Sequence, residues 1–204
     1  GTMTENRRRS VLQPGETPRT RGERTRQRVA EALIELVGEG DMSPTAKSVA
    51  ERAGVSVRLV FHHFEDMDAL YRLAVGVQDE RHWAEVREVP ADAPLAERVD
   101  RTIQQRLKLF EAVSPVRQSL VPVLSRNAEL ASVVARGEQR LRGLLESTFA
   151  TELRRDGRGK KELLDALDAI TSWEAWDRLR RRQQLAPTAA RKVVTRTLMG
   201  LLAP

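Results

Sequence analysis

An all-α fold is predicted for this 204-residue chain by three observations. Apolar residues recur three and four apart through nearly every segment. No stretch shows the strict alternation of a half-buried strand. The interruptions are rich in Gly, Pro, Ser and Asp, the residues that cap or break helices. The length allows one or two domains with a real core and a binding cavity. Charged residues make up 31% of the chain and its mean hydropathy is −0.47. No apolar run approaches the ~18 residues of a membrane span, and residues 1–30 lack the apolar core of a signal peptide. With no cysteine, disulfides and thiolate metal sites are excluded, and a cytoplasmic location is expected.

The elements follow in order. Residues 1–21 mix Pro14, Gly15 and Pro18 with polar side chains and are expected to be a disordered, Arg-rich arm. A helix is predicted from about Gly22, with Val29, Ala32, Leu33, Leu36 and Val37 on one face and a stop at Gly38-Glu39-Gly40. Asp41 to Pro44 reads as a turn, with Ser43 or Thr45 capping the next helix. From Thr45 to Phe64 the chain runs TAKSVAERAGVSVRLVFHHF. That stretch predicts a helix, a three-to-four-residue turn at Gly54 and a second short helix, the geometry that lays one helix in the major groove of DNA. Ala50 and Ala53 are small enough for two helices to cross closely. Gly54 is able to take the left-handed conformation that ends the first helix, and Ser56 to cap the second.

Asp66 then caps a longer helix over about 67–86, with Asp68 in the first turn, where the helix dipole favours carboxylates. Pro90 to Pro94 breaks the pattern and marks the expected domain boundary. The expected organisation is thus an arm over 1–21, a helix-turn-helix domain over 22–66, a connecting helix over 67–89 and a second helical domain over 90–204. Within the latter, helices are predicted over about Leu95 to Val113, Pro115 to Arg126 and Ala128 to Arg155, with a loop at Asp156 to Gly159. Two more follow, one from about 163 ending at Arg180-Arg181-Arg182 and one opened by Pro187, with Val193, Val194, Leu198, Leu201 and Leu202 along it.

Charge is unevenly placed. Residues 1–30 balance to +5, residues 31–89 to −6 and residues 90–204 to +7. The helix-turn-helix is therefore not a basic patch. The nearby cations are Arg7, Arg8, Arg9, Arg19, Arg21, Arg24, Arg26 and Arg28, an arm able to track phosphates or enter a minor groove, or simply a solvated tail.

The segment Thr45, Ala50, Ala53-Gly54-Val55-Ser56, Phe61-His62-His63-Phe64 and Ala69-Leu70-Tyr71 resembles the N-terminal DNA-binding domain of the TetR family of transcriptional regulators over about residues 22–75. The remainder agrees with that family in length, helical character and an apolar final helix pair. The resemblance implies that Thr45 and Ser56, at helix N-termini, contact phosphate. It also implies that Val57, Arg58 and Leu59 face base edges. Arg58 carries the fork that matches guanine O6 and N7. Val57 and Leu59 are limited to apolar contacts such as thymine methyls. Phe61 stands where the family usually has Tyr and so loses a hydroxyl contact to phosphate, while His62 suits phosphate or base. Two departures follow from the same comparison. Arg58 replaces a common Gly or Ser, and Met67 replaces a phosphate-binding Lys, so a reduced salt dependence is expected.

Enzymatic chemistry finds little support. His62-His63 beside Glu65 or Asp66 suggests a metal site, but adjacent residues on a helix point about 100° apart, and no cysteine and only His82 remain to complete a set. There is no glycine-rich phosphate loop and no nucleophile–base pair; neither cofactor nor metal is expected.

By the same resemblance, the second domain dimerises through the last two helices, about 163–182 and 187–202, and holds a small-molecule effector among the middle ones. Candidate pocket residues are Phe110, Val113, Arg117, Leu120, Val121, Leu124, Leu141, Leu145 and Phe149, with Arg117 as an anion handle. Trp173 and Trp176, three apart and so on one face, border the cavity or the dimer interface. Each of these residues also suits ordinary core packing. The expected function is a ligand-responsive repressor acting as a homodimer on double-stranded DNA at a pseudo-palindromic operator. An activator or a low-specificity DNA binder would share the same head, and a helical small-molecule binder without DNA function is the remaining alternative.

Overall fold

The computed structural model describes residues 19–155 and 159–203. The arginine-rich arm therefore lies, up to residue 18, outside the described residues, as does most of the loop expected at Asp156 to Gly159.

Four helices form the N-terminal part: α1 Arg21–Gly38, α2 Ala46–Ala53, α3 Val57–His63 and α4 Met67–His82. Each begins at a side-chain cap that satisfies an otherwise orphaned N–H. Thr20 and Glu23 form a reciprocal capping box at α1, Thr45 and Ser48 do so at α2, and Ser56 and Asp66 cap α3 and α4. α4 ends earlier than expected, at His82, and passes through a 3-10 turn, Trp83–Glu85. The proline-rich link follows, then α5 Leu95–Leu124, α6 Ala128–Thr148, α7 Ala150–Arg155, α8 Lys160–Ile170, α9 Trp173–Asp177, a π turn Arg178–Arg182 and α10 Pro187–Leu202.

Three further boundaries differ from the sequence-based expectation, each with a physical cause. A break was expected at Ser114-Pro115, yet α5 runs unbroken through Pro115 and Pro122. An internal proline removes one helical hydrogen bond and strains the turn before it. Here Val116, Leu120 and Val123 are buried directly after Pro115, each fully buried aliphatic contributing about 1.5–3 kcal/mol, and Ser114 accepts a hydrogen bond from the Trp173 indole at 3.0 Å. Packing outweighs propensity. The helix expected over 128–155 instead breaks at Phe149, which is fully buried. The carbonyl of Thr148 turns to Arg98 Nη1 at 3.0 Å. The helix expected over 163–182 breaks at Thr171-Ser172. Ser172 caps α9 through the Ala175 N–H at 3.1 Å, and the Thr171 carbonyl accepts from Arg106 Nη1 at 3.0 Å. Both breaks are thus held by a buried arginine of α5.

Two hydrophobic cores result. The first gathers α1 to α4 around Val29, Leu33, Val49, Val60, Phe64 and Leu70, and takes in Val116, Leu120 and Val123 of α5 and Leu130 of α6. The second packs α5 to α10 around Ile103, Phe110, Leu145, Phe149, Leu167, Trp176 and Leu198. A deeply buried ion pair there is bidentate: Arg98 Nη1 and Nη2 donate to the two Glu152 oxygens at 2.8 and 2.7 Å. Among the described residues no helix is long and apolar enough to cross a membrane.

Candidate nucleic-acid interface and effector cavity

The turn between α2 and α3 is built by local chemistry. Gly54 sits at φ 64°, ψ 41°, a left-handed conformation that costs a side-chain-bearing residue about 1–2 kcal/mol. The Val55 N–H returns to the Ala50 carbonyl at 3.0 Å, closing the end of α2. Ser56 Oγ accepts the Leu59 N–H at 3.1 Å and so starts α3.

This arrangement leaves Thr45, Ser56, Val57, Arg58, Phe61 and His62 exposed, while Val60 and Phe64 pack in the first core. Leu59 is half-buried, so it offers less of its side chain than its neighbours. Val57 and Phe61, one turn apart, are 38% and 51% exposed. They form an exposed apolar stripe beside the buried face of α3. Arg58 lies beside that stripe and takes no part in the ion pairs that hold Arg52 to Glu39 or Arg81 to Glu31. Among the described residues its fork has no ion-pair partner, and such a fork matches a base edge.

The short α3, seven residues long, needs outside support, and α1 supplies it. Arg26 Nη1 donates to the His63 carbonyl at 2.5 Å, and its guanidinium lies 4.7 Å above the Phe64 ring. One side chain therefore neutralises the negative end of α3 and fastens its last turn. In the sequence Arg26 counts only among the cations of the arm; its position one turn before the buried Val29-Ala30 is the signal for this role. Burial, then His62 and Arg26, push the His63 imidazole below its ordinary pKa, which keeps it neutral around pH 7. Met67 is half-buried against the first core and offers no charge at the start of α4.

A second feature is a cavity of about 230 Å³ between α4, α5, α6 and the α8–α9 junction, slightly below the ~300–1,000 Å³ of drug-sized sites. Of the residues expected there, Phe110, Val113, Arg117, Leu120, Leu141 and Trp173 line it. Leu145, Phe149 and Trp176 lie in the second core instead, with the Trp176 indole donating to Glu111 at 2.8 Å. Leu124 packs against the first core. Val121 is 52% exposed, since it is turned about 80–100° around α5 from Val113 and Leu120.

α4 and α6 contribute walls that the sequence pattern does not mark. Val75, Gln78, Asp79 and Trp83 form one wall, and Gly137 and Glu138 another. Trp83 donates to Asp79 at 3.0 Å and lies under the Arg140 guanidinium at 4.5 Å. A Cβ added at Gly137 would fall 3.2 Å from that ring, which explains a glycine in mid-helix. Burial raises the Asp79 carboxyl above its usual range, against the opposing Trp83 hydrogen bond and the Arg140 charge. Arg117 does not stand free in the wall. Its Nη2 donates to Glu138 at 2.5 Å and to Glu174 at 3.0 Å, and its guanidinium lies over Trp173. Arg106 was not foreseen, although it continues the stripe of Phe110, Val113 and Arg117 one turn back along α5.

Among the described residues no group of three or more His, Cys, Asp or Glu is disposed to hold a metal ion.

Residues 30–74 match the family described as bacterial regulatory proteins, tetR family. Solved structures share the fold of nearly the whole chain. A transcriptional regulator from Rhodococcus sp. Rha1 is 21% identical, with 87% of this chain and 95% of that chain covered and a TM-score of 0.69. A TetR-like transcriptional regulator from Rhodococcus sp. RHA1 is 15% identical, covering 93% and 100%, at a TM-score of 0.61. Salmonella enterica GusR is 19% identical, covering 91% and 98%, at 0.61. No curated protein sequence matches the chain.

Proposed function

We propose, for a chain that is a DNA-binding transcriptional regulator of the TetR family, that it works in the cytoplasm as a homodimeric, effector-released repressor. The observation that carries the reading of DNA is the surface of α3: a capped, externally braced helix with Arg58 unpaired among the described residues and Val57 and Phe61 exposed beside it. Arg58 reads guanine, Val57 and Phe61 meet thymine methyls or sugar, and Thr45, Ser56 and His62 hold phosphate. Leu59 contributes what its half-exposed side chain allows.

Dimerisation through 163–182 and 187–202 is supported by α10, where Val193 and Leu201 are 38% and 37% exposed on one face two turns apart. Two copies of α3 related by a two-fold axis then fit half-sites about one helical turn apart. The cavity is read as the effector site. α4 connects the two functions: its middle faces the first core through Leu70 and Ala74, and its Val75, Gln78 and Asp79 face the cavity. An effector that fits only one position of α4 shifts the population away from the DNA-competent dimer.

Selection of bound sequences from random DNA tests this reading. A palindrome with guanine under Arg58 is expected. Arg58→Ala should then lose about 1–3 kcal/mol of discrimination at that base while the dimer sediments unchanged. Recovery of no preferred sequence, or an Arg58→Ala variant with the parent's preference, would refute it.

A further inference from the structure

The cavity wall has a charge pattern that narrows its ligand. Four carboxylates and two guanidinium groups line it. Glu138 and Glu174 are both engaged by Arg117, Asp168 by Arg142 at 3.2 Å, and Asp79 accepts the Trp83 indole. Arg106 is different. It is only 4% exposed, and its hydrogen-bond partners are two neutral carbonyls, Thr171 at 3.0 Å and Leu141 at 2.6 Å. A guanidinium has five N–H donors, so these two bonds leave donors over. Burial, only partly offset by Asp168, pushes its pKa down to about 10, which still leaves it cationic at neutral pH. A buried charge without a hydrogen-bonded counter-ion is costly, and a cavity that adjoins it gives a counter-ion somewhere to bind.

Arg117 adds a second donor. Its Nε is buried without a partner, and it lies three helical turns from Arg106 on the same face of α5, about 16 Å along the axis. Between them the surface is apolar: Leu109, Phe110, Val113 and Val116.

We propose that the cavity binds a small amphipathic carboxylate, its anionic head on the Arg106 fork and its apolar body along Phe110 and Val113 toward Trp173. This rests on the reading of the cavity as the effector site. The planar fork fits a carboxylate through paired hydrogen bonds, and the head displaces no existing ion pair. The anion handle is thus Arg106 and not Arg117, whose charge Glu138 and Glu174 already balance.

The test uses the full chain and three matched probes: 3-phenylpropionate, 3-phenylpropanamide and 3-phenylpropylamine. A second set of hexanoate and octanoate with their amides covers aliphatic bodies. Binding is read by intrinsic fluorescence, since Trp83 and Trp173 line the cavity, and by calorimetry. In at least one set the acid should bind about tenfold or more tightly than its amide. Arg106→Gln should bring that ratio to near one. Because Arg106 also holds two carbonyls, each variant's melting temperature is recorded. The acid-to-amide ratio on the unmodified chain needs no variant; a merely structural Arg106 would leave that ratio unchanged in Arg106→Gln, which would assign any acid preference to Arg117 and overturn the proposal. Equal binding of acid and amide, preference for the amine, or no acid bound up to millimolar concentration overturns the proposal. Release of selected DNA by neutral probes alone would also overturn it while leaving the effector reading intact. Acid binding that never alters DNA affinity would do the reverse, sparing the carboxylate assignment and removing the effector role.

Discussion

Arg26→Met isolates the brace on the recognition helix. Methionine keeps the apolar stem against the core and removes the guanidinium. The variant loses a charge-assisted hydrogen bond to the His63 carbonyl, worth about 1.5–3 kcal/mol, and the stack on Phe64, worth about 0.5–1 kcal/mol. Water reaching the freed carbonyl keeps the net at the low end, about 2 kcal/mol. For a chain of this size that lowers Tm by about 4–8 °C. If the whole cost falls on the pose of α3, DNA affinity drops by up to about 30-fold. The assay pairs calorimetric melting with DNA titrations across a salt series, because Arg26 in the alternative touches phosphate directly. A brace leaves the slope of log K against log salt unchanged, whereas a lost phosphate contact flattens it by about 0.9. Parent-like melting together with a flattened slope would refute the brace; parent-like melting and affinity would remove any role for Arg26.

The other predictions concern the fold and the phosphate grip. Glu152→Gln leaves Arg98 buried beside a neutral partner, which should cost about 3–5 kcal/mol by chemical denaturation. Arg98 holds the Glu152 carboxyl below its ordinary pKa. Its contribution is therefore complete above the unfolded value of about 4.3 and is lost as pH falls through the lower folded value. The gap between parent and variant should be widest near neutrality and close in acid; a constant gap would contradict the assignment. Met67→Lys restores a cation at the start of α4 and should steepen the salt slope of DNA binding by about 0.9. Because a cation opposes the helix dipole there, it should cost about 0.3–1 kcal/mol of stability. An unchanged slope would mean that this position does not approach the backbone.

Legibility in the sequence followed the range of the forces involved. The helix-turn-helix was readable because its determinants are local. Thr45, Gly54, Ser56 and Asp66 act within four residues of themselves, so order along the chain is enough to identify them. Pro115 misled for the opposite reason: its local penalty is certain, but the burial that overrides it comes from residues far away in sequence. Thr148 and Thr171 give no local warning of a break, since the groups that hold their carbonyls, Arg98 and Arg106, stand 50 and 65 residues earlier. The cavity was half visible. The stripe from Phe110 to Leu120 has helical spacing, but that spacing cannot tell a wall from a core, which is how Leu145, Phe149 and Trp176 came to be included. Arg106 was passed over because a cation on an apolar stripe reads as surface until its burial is seen.

The first core is completed by Val116, Leu120, Val123 and Leu130, all distal to the proline-rich link. The reading head is therefore not a portable cassette. A chimera spliced at Pro90 to Pro94 would graft a head with an open apolar floor onto a body whose α5 was shaped for another. Recombination that keeps both halves sound must carry the last three turns of α5 and the first turn of α6 along with the head, so a strip of sequence beyond the link travels with the helix-turn-helix.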